Sequence, residues 1–266
     1  MTRDVITSAT NKEVKLLRSL SERKYRKQTG WFLAEGLRIC LEAASLGHVP
    51  QRLVYAAGRE DDNRVRRLIS DCKAKGGRAV AVTEDLLGRI SRKDNPQMII
   101  GAFAMQWHEA DDIIAHRDNL WIALDRVRDP GNLGTIMRTA DAVGAQGIIL
   151  IDECSDPYSL EAVRASMGAV FNVKLLRMSS AEFISFAKSW QGEIIGTALQ
   201  SSVDYRQADY SKPTIMMMGN EQAGLTDSLI AATTQLIRMP MQGRSDSLNL
   251  AVATGVSLYE WLRERR

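Results

Sequence analysis

Cysteine is scarce in this chain: Cys40, Cys72 and Cys154 are the only three in 266 residues. An odd number without close spacing supplies neither a disulfide framework nor a zinc-ligand pattern. Histidine is equally rare, and His48, His108 and His116 lack metal-ligand spacing, so no metal is expected. No uninterrupted apolar run approaches the length of a membrane span. The opening Met-Thr-Arg-Asp-Val-Ile lacks the apolar stretch of a signal peptide. These absences predict a reduced, soluble, cytoplasmic protein with no membrane partner. Neither Gly-x-Gly-x-x-Gly after a strand nor Gly-x-x-x-x-Gly-Lys-Ser/Thr occurs, which argues against a phosphate-cradling dinucleotide fold. There is no internal repeat and no low-complexity tract.

What is present is ordinary in bulk. Hydrophobic residues make up 45% and charged residues 25%, values that predict a well-buried core. The length suits one large domain or two ordinary ones. The formal charge of +3 is too small to argue for nucleic acid, but its distribution is uneven. Residues 1–112 carry 20 Lys and Arg against 15 Asp and Glu, whereas the remainder carries 15 against 17. The excess is concentrated in Lys12, Lys15, Arg18, Arg23, Lys24, Arg26 and Lys27, opposed there only by Glu13 and Glu22. Such a cluster attracts a polyphosphate backbone through counterion release. Taken alone, a basic run is more often a solvated helix face.

Hydrophobic spacing predicts a helix from Asn11 to Lys27, with Val14, Leu17 and Leu20 on one face. Gly30 to Gly36 form an apolar patch broken by glycine. A helix follows from Leu37 to Leu46, a strand at Leu53-Val-Tyr, a helix from Asn63 to Lys75, and strands at 79–82 and 98–104. This is an alternating α/β unit of normal domain size. Residues 113–118 are read as a linker between domains at 1–112 and 119–266. Beyond it, apolar strands at 120–125, 147–152, 173–176, 193–198, 213–218 and 235–239 alternate with helices at 134–143, 160–167, 181–189, 226–232 and 248–263. Continuous apolar strands alternating with helices predict a parallel sheet covered on both faces.

Ligands of such sheets bind beyond the carboxyl ends of the strands. Three polar segments fall there: Asp129 to Gly134, Gly219 to Gly224 and Pro240 to Ser247. Gly131, Gly134, Gly219, Gly224 and Gly243 leave room for a ligand beside the backbone, although turn chemistry alone explains most post-strand glycines. Arg138, near the start of its expected helix, can bind phosphate bidentately with help from the helix N-terminus. Seen by itself, it reads better as a surface arginine in an ordinary helix. Glu221 can anchor an arginine or a backbone amide, or lie solvated in a turn. Ser247 and Asn249 are natural helix caps. The Met216–Met218 run reads as strand core.

Taken together, three segments in this order resemble the signature motifs of the SpoU/TrmH family of RNA ribose 2′-O-methyltransferases, within the SPOUT superfamily. They are Asp129-Pro-Gly-Asn-Leu-Gly-Thr-Ile-Met-Arg-Thr-Ala140, Met218-Gly-Asn-Glu-Gln-Ala-Gly-Leu225, and Ile237-Arg-Met-Pro-Met followed by Ser247-Leu-Asn. Val163-Arg-Ala-Ser-Met-Gly-Ala-Val170 is also similar to the family. The resemblance covers residues 119–266 as a catalytic domain. It implies a deep trefoil knot, against the general rule that chains do not thread loops. Phe32-Leu-Ala-Glu-Gly-Leu-Arg38 and Leu53-Val-Tyr resemble, less specifically, the family's smaller RNA-substrate-binding domain, whose fold is similar to a ribosomal-protein α/β/α unit.

The resemblance further implies S-adenosylmethionine as cofactor, held by the backbone of Gly219, Met239 and Leu248 with Thr197, Ala198 and Leu199 nearby. It implies a homodimer through the catalytic domain. It assigns activation of the ribose hydroxyl to Arg138, in a pocket shaped by Asn132, Glu221, Ser247 and Asn249. Many relatives have Pro-Lys where this chain has Leu160-Glu161, which puts carry-over of any one relative's substrate in doubt. Ribosomal RNA is favoured over transfer RNA because minimal transfer-RNA members often lack the extra domain. A non-catalytic RNA-binding or ribosome-assembly protein on the same fold is the alternative from another class. A different small-molecule α/β enzyme is remote.

Overall fold

The computed structural model describes residues 5–113, 115–116, 118–198, 201 and 203–265. Its elements in chain order are α1 (Lys12–Ser19), α2 (Arg23–Thr29), β1 (Trp31–Glu35), α3 (Leu37–Ser45), β2 (Arg52–Ala56), α4 (Asn63–Ala74), β3 (Arg78–Val82), α5 (Glu84–Ser91) and β4 (Ile99–Ala104). They continue with β5 (Leu120–Asp125), α6 (Pro130–Ala142), β6 (Gly147–Ile151), α7 (Leu160–Ser166), β7 (Lys174–Met178), α8 (Ser180–Ala187), β8 (Glu193–Thr197), β9 (Thr214–Met218), α9 (Asp227–Ile230), β10 (Gln235–Ile237) and α10 (Leu250–Arg263). Among the described residues no helix is long and apolar enough to cross a membrane.

The chain forms two compact units that divide it differently from its sequence reading. One comprises residues 1–105 and 156–171; the other comprises 106–155 and 172–266. Residues 106–112 go with the second unit because His108 pairs in parallel with Leu176 of β7. Ile113, expected in a linker, is buried in that unit's core.

In the first unit a four-stranded sheet runs in the order β1-β4-β2-β3, with only β2 and β3 parallel. The glycine-broken patch is strand β1, and its glycines bound it: Gly30 at φ 71° and Gly36 at φ 110°. Such positive angles cost glycine no Cβ clash. Helix α5 is absent from the sequence reading, yet Leu86, Leu87 and Ile90 are buried on it. Gly88 in its middle depresses helix propensity. A Cβ there would lie 2.9 Å from the Lys93 carbonyl, so the returning chain requires the glycine.

The single helix expected from Asn11 to Lys27 is broken into α1 and α2. The break has a partner that spacing does not reveal. Arg26, read as an RNA contact, is buried, and its Nη1 donates to the carbonyls of Leu20 and Ser21 at 2.8 Å each. Those are backbone acceptors left open where α1 ends. Its Nε and Nη2 donate to Asp156 Oδ2 at 3.1 and 2.7 Å.

Asp156 belongs to the segment 156–171, which the sequence reading gave to the catalytic domain. Two further contacts tie that segment to this unit. Arg164 pairs with the buried carboxylate of Glu35 at 2.9 Å, and Phe32 and Phe103 pack against Tyr158 and Phe171. Leu160, one of the two residues departing from the family pattern, packs on another core cluster of this unit, which includes Val14, Leu33 and Leu86, and Glu161 is exposed.

The second unit is built on six parallel strands in the order β10-β8-β9-β5-β6-β7. Strands β5, β6 and β9 are buried along their whole length, as continuous apolar strands require of a sheet covered on both faces. Phe183 of α8 and Leu229 of α9 join the core on one face. On the other, α6 and α10 pack on each other and on the sheet. The expected doubly covered parallel sheet is present. Strand order reverses at the β9–β5 pair, where such sheets form a crevice.

Candidate active site

All three polar segments lie beyond the carboxyl ends of β5, β9 and β10, and side chains tie them together. Glu221, in the turn after β9, accepts from the backbone N–H groups of Arg128 and Asp129 at 3.3 Å each. Its Oε1 also accepts from Asn132 Nδ2 at 3.4 Å. Asn132 Oδ1 in turn accepts from Asn249 Nδ2 at 2.9 Å. Asn249 Oδ1 caps α10 through Ala251 N–H at 2.9 Å. One chain of hydrogen bonds thus joins the β5, β9 and β10 loops. Ser247, expected as a second cap, instead donates to Asp246 at 3.2 Å and is exposed.

The frame beneath this network is ionic. Asp125 ends β5 with no solvent exposure, and Arg126 folds back onto it at 2.8 Å in a left-handed conformation of φ 52°. The pairing raises the Arg126 pKa above its ordinary value. Arg126 also donates to the Gly224 carbonyl at 3.3 Å, and Asn220 Nδ2 donates to the Arg126 carbonyl at 2.8 Å. Sequence reasoning gave Asp125, Arg126 and Asn220 no role. The available signal was an aspartate closing an apolar strand, since a buried charge needs a partner.

A cavity of about 720 Å³ opens beside this frame. Thr197, Ala198, Gly219, Met239, Leu248, Glu221, Ser247 and Asn249 line it. Leu199 lies outside the described residues. Asn132 reaches the lining only through its bonds to Glu221 and Asn249. A side chain at Gly219 forces the neighbouring backbone to shift: a Cβ would stand 2.3 Å from the Gly224 carbonyl carbon and 2.4 Å from the Leu225 nitrogen. Among the described residues, the charged groups on the lining are Glu221, Asp246 and Arg238. Two carboxylates against one guanidinium suit a neutral or cationic ligand better than a polyphosphate, and the volume is that of an ordinary small-molecule site.

Arg138 is not on the lining. Helix α6 begins at Pro130, capped by Asp129, rather than at Gly134. Arg138 is therefore more than two turns in, too far for the helix N-terminus to act on a phosphate it holds. Its side chain is exposed. Among the described residues no group of three or more His, Cys, Asp or Glu could hold a metal ion. Burial pushes the Cys40 thiol up to about 12 and the Cys154 thiol up to about 11, so neither is a nucleophile at neutral pH.

The fold and cavity define an α/β protein with a small-molecule-sized cavity at the carboxyl edge of a parallel sheet. Residues 119–259 match the model of the SpoU rRNA Methylase family, and residues 11–101 match the MRM3-like substrate binding domain. The chain belongs to the SpoU rRNA Methylase family. It is similar to the AdoMet-bound rRNA methyltransferase from Sinorhizobium meliloti, with 45% identity, 98% of both chains covered and a TM-score of 0.93. The AdoMet complex of the SpoU methyltransferase AviRb from Streptomyces viridochromogenes is 28% identical, covers 96% of this chain and 98% of that one, and has a TM-score of 0.84. The 23S rRNA (guanosine(2553)-2′-O)-methyltransferase RlmP of Bacillus subtilis is 31% identical, over 96% of this chain and 97% of its own.

Proposed function

We propose that this protein transfers a methyl group from S-adenosylmethionine to a ribose 2′-hydroxyl of ribosomal RNA. The observation that carries the reading is the cavity of about 720 Å³ whose rim joins all three signature segments through Asn132, Glu221 and Asn249. The lining fits the cofactor: an uncharged adenosine and a cationic sulfonium suit walls carrying Glu221 and Asp246. Thr197, Ala198, Gly219, Met239 and Leu248 would hold it, with Leu199 assigned by the family resemblance. The bound cofactor supplies an electrophilic methyl group on a thioether leaving group.

The residues of the chain must then orient the ribose and manage its proton. Holding the hydroxyl in line with the methyl group supplies much of the acceleration. Asn132, Glu221, Ser247 and Asn249 form the polar wall on which the nucleotide is positioned. A guanidinium is a poor base because it stays protonated. We therefore give Arg138 a shared role, in which it orients the nucleotide's phosphate beside the hydroxyl that loses its proton. Its absence from the lining is explained if a second copy of the chain supplies it. The exposed apolar residues Val252 and Tyr259 on one side of α10, which packs on α6, support such a homodimer. The trefoil knot and a cytoplasmic location belong to the same proposal.

Lys12, Lys15, Arg18, Arg23, Lys24 and Lys27 are exposed on α1 and α2 and form the proposed RNA surface; buried Arg26 does not. Replacing Lys12, Lys15, Lys24 and Lys27 by alanine lowers RNA affinity and reduces the slope of log affinity against log salt by about 3, at roughly 0.7–0.9 per lost phosphate contact. A filter-binding titration across salt checks this, and an unchanged slope removes the surface from the proposal.

Gly219→Ala weakens S-adenosylmethionine binding at least about tenfold, because backbone rather than a side-chain tip meets the new methyl. Calorimetric titration reads the loss directly. The function itself is tested with methyl-labelled S-adenosylmethionine and separate pools of unmodified ribosomal and transfer RNA. Label in alkali-resistant dinucleotides from ribosomal RNA is the expected result. Label from transfer RNA alone corrects the substrate. Cofactor binding without transfer to either pool, or to ribosomal particles, favours the non-catalytic reading.

A further inference from the structure

We infer that Arg128 is a positioning residue that grips a phosphodiester of the RNA strand beside the target ribose; the inference rests on the methyltransferase reading. Two arginines flank the fully buried Val127 at the end of β5. The first, Arg126, is spent on structure, bound to Asp125 and to the Gly224 carbonyl. Among the described residues, the second makes its hydrogen bonds through its backbone. Its N–H donates to Glu221 Oε2 at 3.3 Å, and its carbonyl accepts from Ser155 Oγ. The next residue, Asp129, donates its own N–H to Glu221 and caps α6.

The Arg128 guanidinium is 66% exposed. The acid facing it is Glu153, itself 89% exposed and 4.0 Å away. A solvated pair at that distance contributes almost nothing, so an incoming anion displaces it at little cost. The base of the side chain is immobilised by the same carboxylate that bonds Asn132. The cation is therefore tethered at the polar wall while its fork stays free.

The chemistry of the surroundings says what the fork takes. Glu221 and Asp246 are carboxylates on the lining, and RNA brings a negative charge with every nucleotide. A strand threaded past them needs a compensating cation close to the reacting ribose. A planar guanidinium binds phosphate bidentately, which fixes direction as well as charge, whereas an ammonium acts as a point charge. Arg128 is not on the cavity lining, so its partner is the RNA rather than the carboxylate of the cofactor.

The test compares wild type, Arg128→Ala and Arg128→Lys, using transcribed unmodified 23S ribosomal RNA as probe. RNA binding is titrated across salt, methyl transfer is measured for KM and kcat, and S-adenosylmethionine binding is measured alone. Arg128→Ala is expected to raise KM for RNA about tenfold with a smaller change in kcat. It should reduce the salt slope by about 1, with cofactor affinity retained. Arg128→Lys should recover the salt slope but only part of KM. Unchanged KM and slope in the alanine variant overturn the inference. So does weakened cofactor binding, which would assign Arg128 to the cofactor carboxylate, or a loss confined to kcat. If wild type transfers no methyl group, the methyltransferase reading fails, while the RNA-binding titration still decides whether Arg128 grips phosphate.

Discussion

Arg138→Ala lowers kcat for RNA methylation by about 100-fold or more, with S-adenosylmethionine affinity retained. Loss of one charge-stabilising donor at a reacting centre has that magnitude. The affinity is retained because Arg138 stands outside the cavity, exposed on α6. Arg138→Lys does not restore turnover, since the proposed task is bidentate orientation of a phosphate rather than supply of positive charge. A mixing experiment tests the two-copy arrangement. Arg138→Ala subunits, whose cavities are intact, are co-expressed with Gly219→Ala subunits, whose arginines are intact. Activity above that of either parent is expected from mixed dimers, because one composite site then has both parts. No recovery in a preparation shown to contain mixed dimers would require Arg138 to act within its own chain. Near-wild-type turnover of Arg138→Lys would remove the assigned role.

Asp156→Ala destabilises the first unit by about 3–5 kcal/mol, the usual cost of removing one partner from a buried ion pair. Arg26 and Asp156 expose only 4% and 9% of their side chains and meet at 2.7 Å. Without the carboxylate, the guanidinium keeps its bonds to the Leu20 and Ser21 carbonyls but remains a buried, uncompensated charge. Denaturant unfolding of the whole protein, followed by circular dichroism, measures the loss. The double change Arg26→Met with Asp156→Leu recovers much of it, because paired apolar residues carry no desolvation cost. A loss below about 1 kcal/mol in Asp156→Ala would mean that water reaches the guanidinium. The same contacts predict that residues 1–105 alone do not reach the native fold. They would leave Arg26 and Glu35 without Asp156 and Arg164, and would leave Phe32 and Phe103 without Tyr158 and Phe171.

Much of the second unit was legible in the chain. Strands such as Leu120–Asp125 and Thr214–Met218 are continuous apolar runs, and sheets buried on both faces demand them. The three signature segments could be placed at strand ends, and Asn249 behaves as the cap its residue type suggests. Less was legible where a partner lies far along the chain. Arg26 looks like its basic neighbours, and only Asp156, 130 residues away, separates it from them. Helix α6 starts four residues before its apolar periodicity, because Asp129 and Pro130 supply the start. That shift moved Arg138 away from the helix N-terminus.

The alternation of strands and helices, the strand-end position of the polar loops and the family to which the chain belongs can be read from residue order alone. Hydrophobic spacing and short motifs are local, and they survive without knowledge of any distant contact. Tertiary structure alone decided that residues 156–171 complete the first unit, that Arg26 is structural, and that Asn132 joins Glu221 to Asn249 while Arg138 stays off the cavity. Those outcomes depend on which buried charge finds its counter-charge and which loop finds its hydrogen-bond partner. Buried polar groups must be paired, and the pairing is settled by three-dimensional proximity rather than by spacing along the chain.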